Sequence, residues 1–244
     1  MSVLIIAEHA GGVVKKATYS AINFGKIVAE RIGADFNIAV IGHNVGAAAQ
    51  TLAGYGAATV YTVDDESCAH YIAQPHAAAA AVVARESGAS WVVTAATATG
   101  FGLLPCVAVR LEAGLASNVT GLAGSGADVK LVRPMYSGKA MAVVEITTDV
   151  KAVSVPAAGW DVATPTGGSS AITASAGGAA AAKEASGAVT WVSFKASGGG
   201  DRPDLNEADI VVAGGRGLKG GDQFFTLLDP LVASLGAGLG ASRA

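Results

Sequence analysis

Along the first ninety or so residues, short runs that are apolar on both faces alternate with Ala-rich stretches of helical length. This rhythm restricts the fold more than any other feature. Val3–Ala7, Phe36–Ile41, Thr59–Val63 and Trp91–Thr94 lack the apolar/polar alternation of a half-exposed strand. Such runs suit parallel strands buried between two helix layers. Between them, Thr18–Ile32, Gly46–Ala53 and Gln74–Ser87 have helical composition. Gly33, Gly54 and Gly88 stand where a left-handed residue would close each helix. Repeated strand–helix–strand units predict a parallel α/β sheet with right-handed crossovers.

The rhythm then changes. Val129–Pro134 and Ala140–Thr147 flank Met135-Tyr-Ser-Gly-Lys139 and read as a hairpin, and Val150–Val155 reads as a third antiparallel strand. From Ala163 to Gly187 nearly every residue is Ala, Gly, Ser or Thr. Side chains this small bury too little apolar area to offset ordering entropy, so a linker or loosely held surface is expected. Thr190–Ala196 is strand-like. Beyond it, Ala208–Ala213 reads as a strand, Gly214-Gly-Arg-Gly217 as its turn, and Asp222 as the N-cap of a helix reaching Leu235. The domains expected are therefore an α/β domain over 1–196 containing the small-residue segment 163–187, a linker over 197–204, and an incomplete second α/β domain over 205–244.

Composition excludes several classes. The 244 residues are 51% hydrophobic but 6% aromatic, and roughly a fifth are Ala. A mean hydropathy of +0.47 with a net charge of −3 is the opposite of a disordered chain. A pI near 5.8 and no basic cluster argue against a nucleic-acid partner. Cys68 and Cys106 are the only cysteines, which rules out a disulfide scaffold. The N-terminus has neither a basic n-region nor the Arg-rich character of a transit peptide, so a cytoplasmic, bacterial protein is expected. Trp91–Val109 carries no charge, but three Thr, two Gly and a Pro interrupt it; a strand, a turn and a helix start explain it better than a membrane span.

The chemistry-bearing motifs are few. Gly214-Gly-Arg-Gly217, between a strand and a helix, is either a tight βα turn or a place where backbone N–H groups meet a phosphate. Ser197-Gly-Gly-Gly-Asp201 mimics the pyrophosphate loop of ATP pyrophosphatases, but Arg202-Pro203 cannot open a helix there, and a flexible Gly linker is expected. His9, His43, His70 and His76 have no metal-ligand spacing, and Asp64-Asp65-Glu66 reads as a solvated turn. Neither His9-Ala-Gly-Gly12 nor Gly42-His-Asn-Val-Gly46 makes a good phosphate loop.

Three stretches together resemble the α subunit of electron transfer flavoproteins. Val3-Leu-Ile-Ile-Ala-Glu-His9 resembles that family's first strand. Phe101-Gly-Leu-Leu-Pro-Cys-Val-Ala-Val-Arg-Leu-Glu112 resembles its F/Y-G-x-x-L-x-P-x-x-A-x-x-L helix. Asp201-Arg-Pro-Asp-Leu205, Ile210-Val-Val-Ala-Gly-Gly-Arg-Gly-Leu218 and Gly240-Ala-Ser-Arg-Ala244 resemble its entry into a flavin domain. The resemblance implies a Rossmann-like, nucleotide-hydrolase-like N-terminal domain with an antiparallel addition, then the start of an FAD-binding domain. It implies a heterodimer with a β subunit, in which AMP is a possible second nucleotide. FAD would carry electrons from acyl-CoA or other dehydrogenases to a membrane quinone oxidoreductase.

Carried over by position, Arg216, Ser242 and Arg243 would lie at the flavin, and Gly215 and Gly217 would let the backbone approach it. A guanidinium there can hydrogen-bond the ring and offset negative charge on the reduced cofactor. The family continues past its Ser-Arg motif with Q-T-G and S-G-A-x-Q-H segments that supply most FAD contacts. Neither occurs in these 244 residues, so the sequence is expected to stop inside that domain. An adenine-nucleotide-binding module without redox activity, and a purely structural partner protein, are the alternative expectations.

Overall fold

A computed structural model describes residues 1–124, 128–194, 202, 203, 205, 208–218 and 220–242. The chain divides into two compact units, Met1–Trp191 and Val192–Ala244.

In the first unit, β1 (Ser2–Ala7) is buried along its whole length. A short hairpin, β2 (His9–Ala10) and β3 (Val13–Val14), leads into α1 (Lys16–Ile32). Gly33 ends α1 at φ 64°, and Ala34 N–H reaches back to the Ala29 carbonyl at 2.9 Å. Then come β4 (Asp35–Gly42), α2 (Gly46–Leu52), β5 (Thr59–Asp64), α3 (Ala73–Glu86), β6 (Ala89–Ala95) and α4 (Ala98–Arg110). The strands β7 (Gly114–Ala116), β8 (Gly121–Ala123), β9 (Lys130–Met135), β10 (Ala140–Val144), β11 (Lys151–Val155) and β12 (Ala171–Ala174) follow, and α5 (Ala176–Ala185) closes the unit. Seven strands form one sheet in the order β12-β5-β4-β1-β6-β11-β7, and every pairing in it is parallel. Its two faces carry separate cores. Phe24, Val28 and Ile38 lie on the α1/α2 side, and Leu4, Val83, Leu104 and Val107 on the α3/α4 side.

The expected strands and helices of the first ninety residues are present within a few residues of their expected bounds. The left-handed closure after α2 sits at Gly56 (φ 81°), not Gly54, because a 3-10 turn over Ala53–Tyr55 extends the helix. Gly88 does adopt φ 61° after α3. The Trp91–Val109 window resolves into β6, a turn and α4. Among the described residues no helix is long and apolar enough to cross a membrane.

Two expectations are corrected. The hairpin of β9 and β10 exists, but its third strand is β8. Lys151–Val155 instead inserts between β6 and β7 in parallel. Its Ala152, Val153, Ser154 and Val155 are all buried, which is what a run apolar on both faces demands. The small-residue segment 163–187 is not a loose linker. Ala171–Ala174 pairs with Thr59–Thr62 on the sheet edge, and α5 lies against α3. Here the smallness is the packing device. A Cβ at Gly178 would fall 2.7 Å from Val63 Cγ2, and one at Gly177 would fall 2.8 Å from Glu86 Oε1. Ser175 caps the helix by accepting from Gly178 N–H at 2.9 Å. Main-chain pairing and close approach replace the large side chains whose absence predicts disorder.

In the second unit, β13 (Val211–Gly214), α6 (Gly221–Leu235) and β14 (Gly238–Ala241) form a parallel βαβ unit, with Val211 opposite Gly238 and Gly214 opposite Ala241. The strand starts at Val211 rather than Ala208. Asp222 lies in the first turn of α6 while Gly220 holds the N-cap position. Residues 190–194 form no strand, and 195 and 196 lie outside the described residues.

Candidate cofactor site

The two parallel strands of the second unit end side by side, so the residues after them, Gly215 and Ser242, meet. Ser242 N–H donates to the Gly214 carbonyl at 3.0 Å. A Cβ on Gly215 would lie 2.9 Å from Ser242 Oγ, so glycine is what lets the two loops touch. Gly214 is required for a different reason. Leu218, Phe224 and Leu228 converge on it, each within 2.8 Å of where a Cβ would stand. At Gly217 no described residue comes near the position of a Cβ, and none of them requires glycine there. Arg216 begins a 3-10 turn through Leu218, with its side chain exposed.

The first turn of α6 has no side-chain cap, so its N–H groups face outward at Gly220 and Gly221. Together these residues line an open depression of about 350 Å³, with Arg216, Phe224 and Ser242 among its walls. A cation, a hydroxyl and an open helix N-terminus form a donor set for a phosphate-bearing anion, and the Phe224 ring adds an apolar wall. Of the five residues expected at a cofactor, Gly215, Arg216 and Ser242 line this pocket. Gly217 sits in the same turn without being part of the lining, and Arg243 lies outside the described residues. Sequence reading missed Phe224. Its signal was available: it stands in the first helical turn after the Gly-rich loop, on the strip that includes Leu228.

The other candidates have structural roles. Asp64 accepts from Asn44 N–H at 2.7 Å and Val45 N–H at 3.1 Å, which satisfies the loop before α2. Asp65 accepts from Ser67 N–H at 2.9 Å, and this hydrogen bonding holds its carboxyl below the usual range. His43 sits 3.4 Å from Asp64, and His70 stacks on Trp191 at 3.7 Å between ring centroids. His76 is buried, and desolvation lowers its pKa to about 4. Burial pushes the Cys68 thiol up to about 11, which makes it a poor nucleophile. Among the described residues no cluster of ligands could hold a metal ion. Residues 197–201, which mimic a pyrophosphate loop, lie outside the described residues.

The family model described as electron transfer flavoprotein domain matches residues 3–194, and the one described as electron transfer flavoprotein FAD-binding domain matches residues 204–244. The electron transfer flavoprotein subunit alpha of Pseudomonas aeruginosa is 34% identical over all of this chain and 74% of its own length. The mitochondrial alpha subunit of Oryza sativa subsp. indica is 32% identical over all of this chain and 68% of its own. That of Bacillus subtilis is 32% identical over 99% of this chain and 72% of its own length. With both family models matched and the Pseudomonas aeruginosa subunit 34% identical across the whole of this chain, the chain belongs to the electron transfer flavoprotein alpha subunit family.

Proposed function

We propose that this chain is the electron-carrying alpha subunit of a heterodimeric flavoprotein and that FAD binds where β13 and β14 end. The observation that carries the reading is the placement of Arg216, Ser242 and the open N-terminus of α6 around one pocket, within the segment matched by an FAD-binding family model. At about 350 Å³ the pocket is at the small end of the ~300–1,000 Å³ typical of ligand sites, so it takes one portion of a dinucleotide. FAD, when bound, supplies the electron chemistry. The chain's own residues bind and orient it. Arg216 contributes a fixed positive charge and a planar donor edge, and Ser242 donates a hydroxyl hydrogen. Gly215 keeps the approach clear, Phe224 walls off water, and Arg243 adds a second cation.

On this reading 205–244 is the entry to the flavin domain and 1–196 is the domain that faces a beta subunit. Electrons enter from acyl-CoA or other dehydrogenases and leave to a membrane quinone oxidoreductase. Any AMP in the complex belongs, on the same reading, to the beta subunit. The test is FAD retention on dilution by the heterodimer, comparing wild type with Arg216→Ala and Ser242→Ala. A lost charge-assisted contact worth about 1.5–3 kcal/mol weakens FAD roughly ten- to a hundredfold. Unchanged retention in both variants would remove the pocket from the flavin site.

A further inference from the structure

The first unit contains a second place built for an anion, and it is filled from within. In the strand order β4-β1-β6, the chain runs from β1 toward β4 on one side and later returns to place β6 on the other. The carboxyl ends of β1 and β6 therefore border a topological switch point, where open α/β sheets take their ligands. Glu8 is the first residue after β1, and Thr97 is the second after β6.

Glu8 is held between two helix N-termini. Its N–H donates to Thr18 Oγ1 at 2.9 Å, and its carbonyl accepts from Lys15 N–H at 2.9 Å and from the Thr18 hydroxyl at 3.0 Å, all at the start of α1. Its carboxylate accepts from the Thr97 hydroxyl at 2.6 Å. That hydroxyl in turn accepts from Gly100 N–H at 3.0 Å as the N-cap of α4. The carboxylate thus reaches the positive end of a thirteen-residue helix through one relay.

A separate observation marks the same crevice as polar beyond its own needs. Thr94, 2% exposed, has a buried hydroxyl with no hydrogen-bond partner, and it lies under the first turn of α4, 3.3 Å from where a Cβ on Gly100 would stand.

We infer that the switch-point crevice is an anion site occupied by the chain's own Glu8 carboxylate, and that vacating it opens the crevice to a phosphomonoester. Glu8 follows the carboxyl end of β1, the place where an open α/β sheet takes an anionic ligand. The inference is independent of the flavin reading, because every residue in it belongs to Met1–Trp191.

The experiment is isothermal titration of the full chain with inorganic phosphate and, separately, with AMP, in wild type, Glu8→Ala and Glu8→Ser. Wild type gives no saturable heat at roughly 10 mM of either ligand. Both variants bind phosphate with a Kd of about 1 mM or tighter. Tighter binding of AMP than of phosphate would show that the crevice also accepts the nucleoside. Folded variants that bind neither ligand overturn the inference. So does saturable binding of AMP by wild type that is lost in Thr97→Ala, a result that needs no Glu8 variant to fold.

Discussion

His76 gives the first unit a built-in sensitivity to acid. It lies on α3, is 8% exposed, and its Nδ1 pairs with the Ile72 carbonyl at 2.9 Å, so that nitrogen carries the hydrogen. The Tyr71 ring stands edge-on at 5.2 Å. Burial makes a charged imidazole costly there, and neighbouring His9 adds repulsion; together they lower the pKa from 6.5 to about 4. The folded state therefore keeps His76 neutral through a range in which the unfolded chain takes up a proton. Stability is intact above pH 6.5, falls as pH drops toward 4, and levels below that. At about 1.4 kcal/mol per pH unit, the loss by pH 4.5 is about 2–3 kcal/mol from this side chain alone. Carboxylates also lose stability in acid, so the measurement is a difference. Urea unfolding is followed by tryptophan emission at pH 7.5 and 4.5 in wild type and His76→Gln, whose amide can still donate to Ile72. The variant should lose less stability on acidification by about that amount. Parallel pH profiles for the two proteins would refute the reasoning.

Two further substitutions probe the packing around the crevice and the core. In Gly100→Ala the new methyl group would overlap the Ala95 carbonyl oxygen. The first turn of α4 must then move, at a cost of about 1–3 kcal/mol in chemical denaturation, and a melting curve superimposed on wild type would show the turn to be looser than described. Phe24 is fully buried and meets the Trp160 ring edge-on at 4.8 Å, so Phe24→Ala should cost about 3–5 kcal/mol; a loss below 1 kcal/mol would mean the cavity collapses freely.

The parallel sheet was legible because β1, β4, β5 and β6 are apolar on both faces, a pattern with one good structural solution. Val150–Val155 carries the same pattern, yet its position after a hairpin suggested a third antiparallel strand. Local order in sequence gave no hint that the chain returns to the main sheet beside β6. The segment 163–187 was misread because small side chains signal weak burial. Its order comes from backbone pairing to Thr59–Thr62 and from α5 approaching α3 closely at Gly177 and β5 at Gly178, a long-range fit that composition does not encode. At the cofactor pocket, Gly214-Gly-Arg-Gly217 was visible as a βα turn. The separate reasons for its glycines were not, since one depends on Ser242 and another on Leu218, Phe224 and Leu228. The link from Glu8 to Thr97 spans 89 positions, and nothing local announces it.

On the proposed function this chain carries electrons on FAD as one half of a heterodimer. Its most direct test is anaerobic titration of the purified complex with a reduced dehydrogenase, followed by visible absorption after native mass spectrometry has fixed its composition. The complex should contain an alpha and a beta chain with FAD bound, its flavin spectrum should bleach as electrons enter, and colour should return on adding the quinone oxidoreductase. A complex without FAD, or a bound flavin that no dehydrogenase reduces, would contradict it.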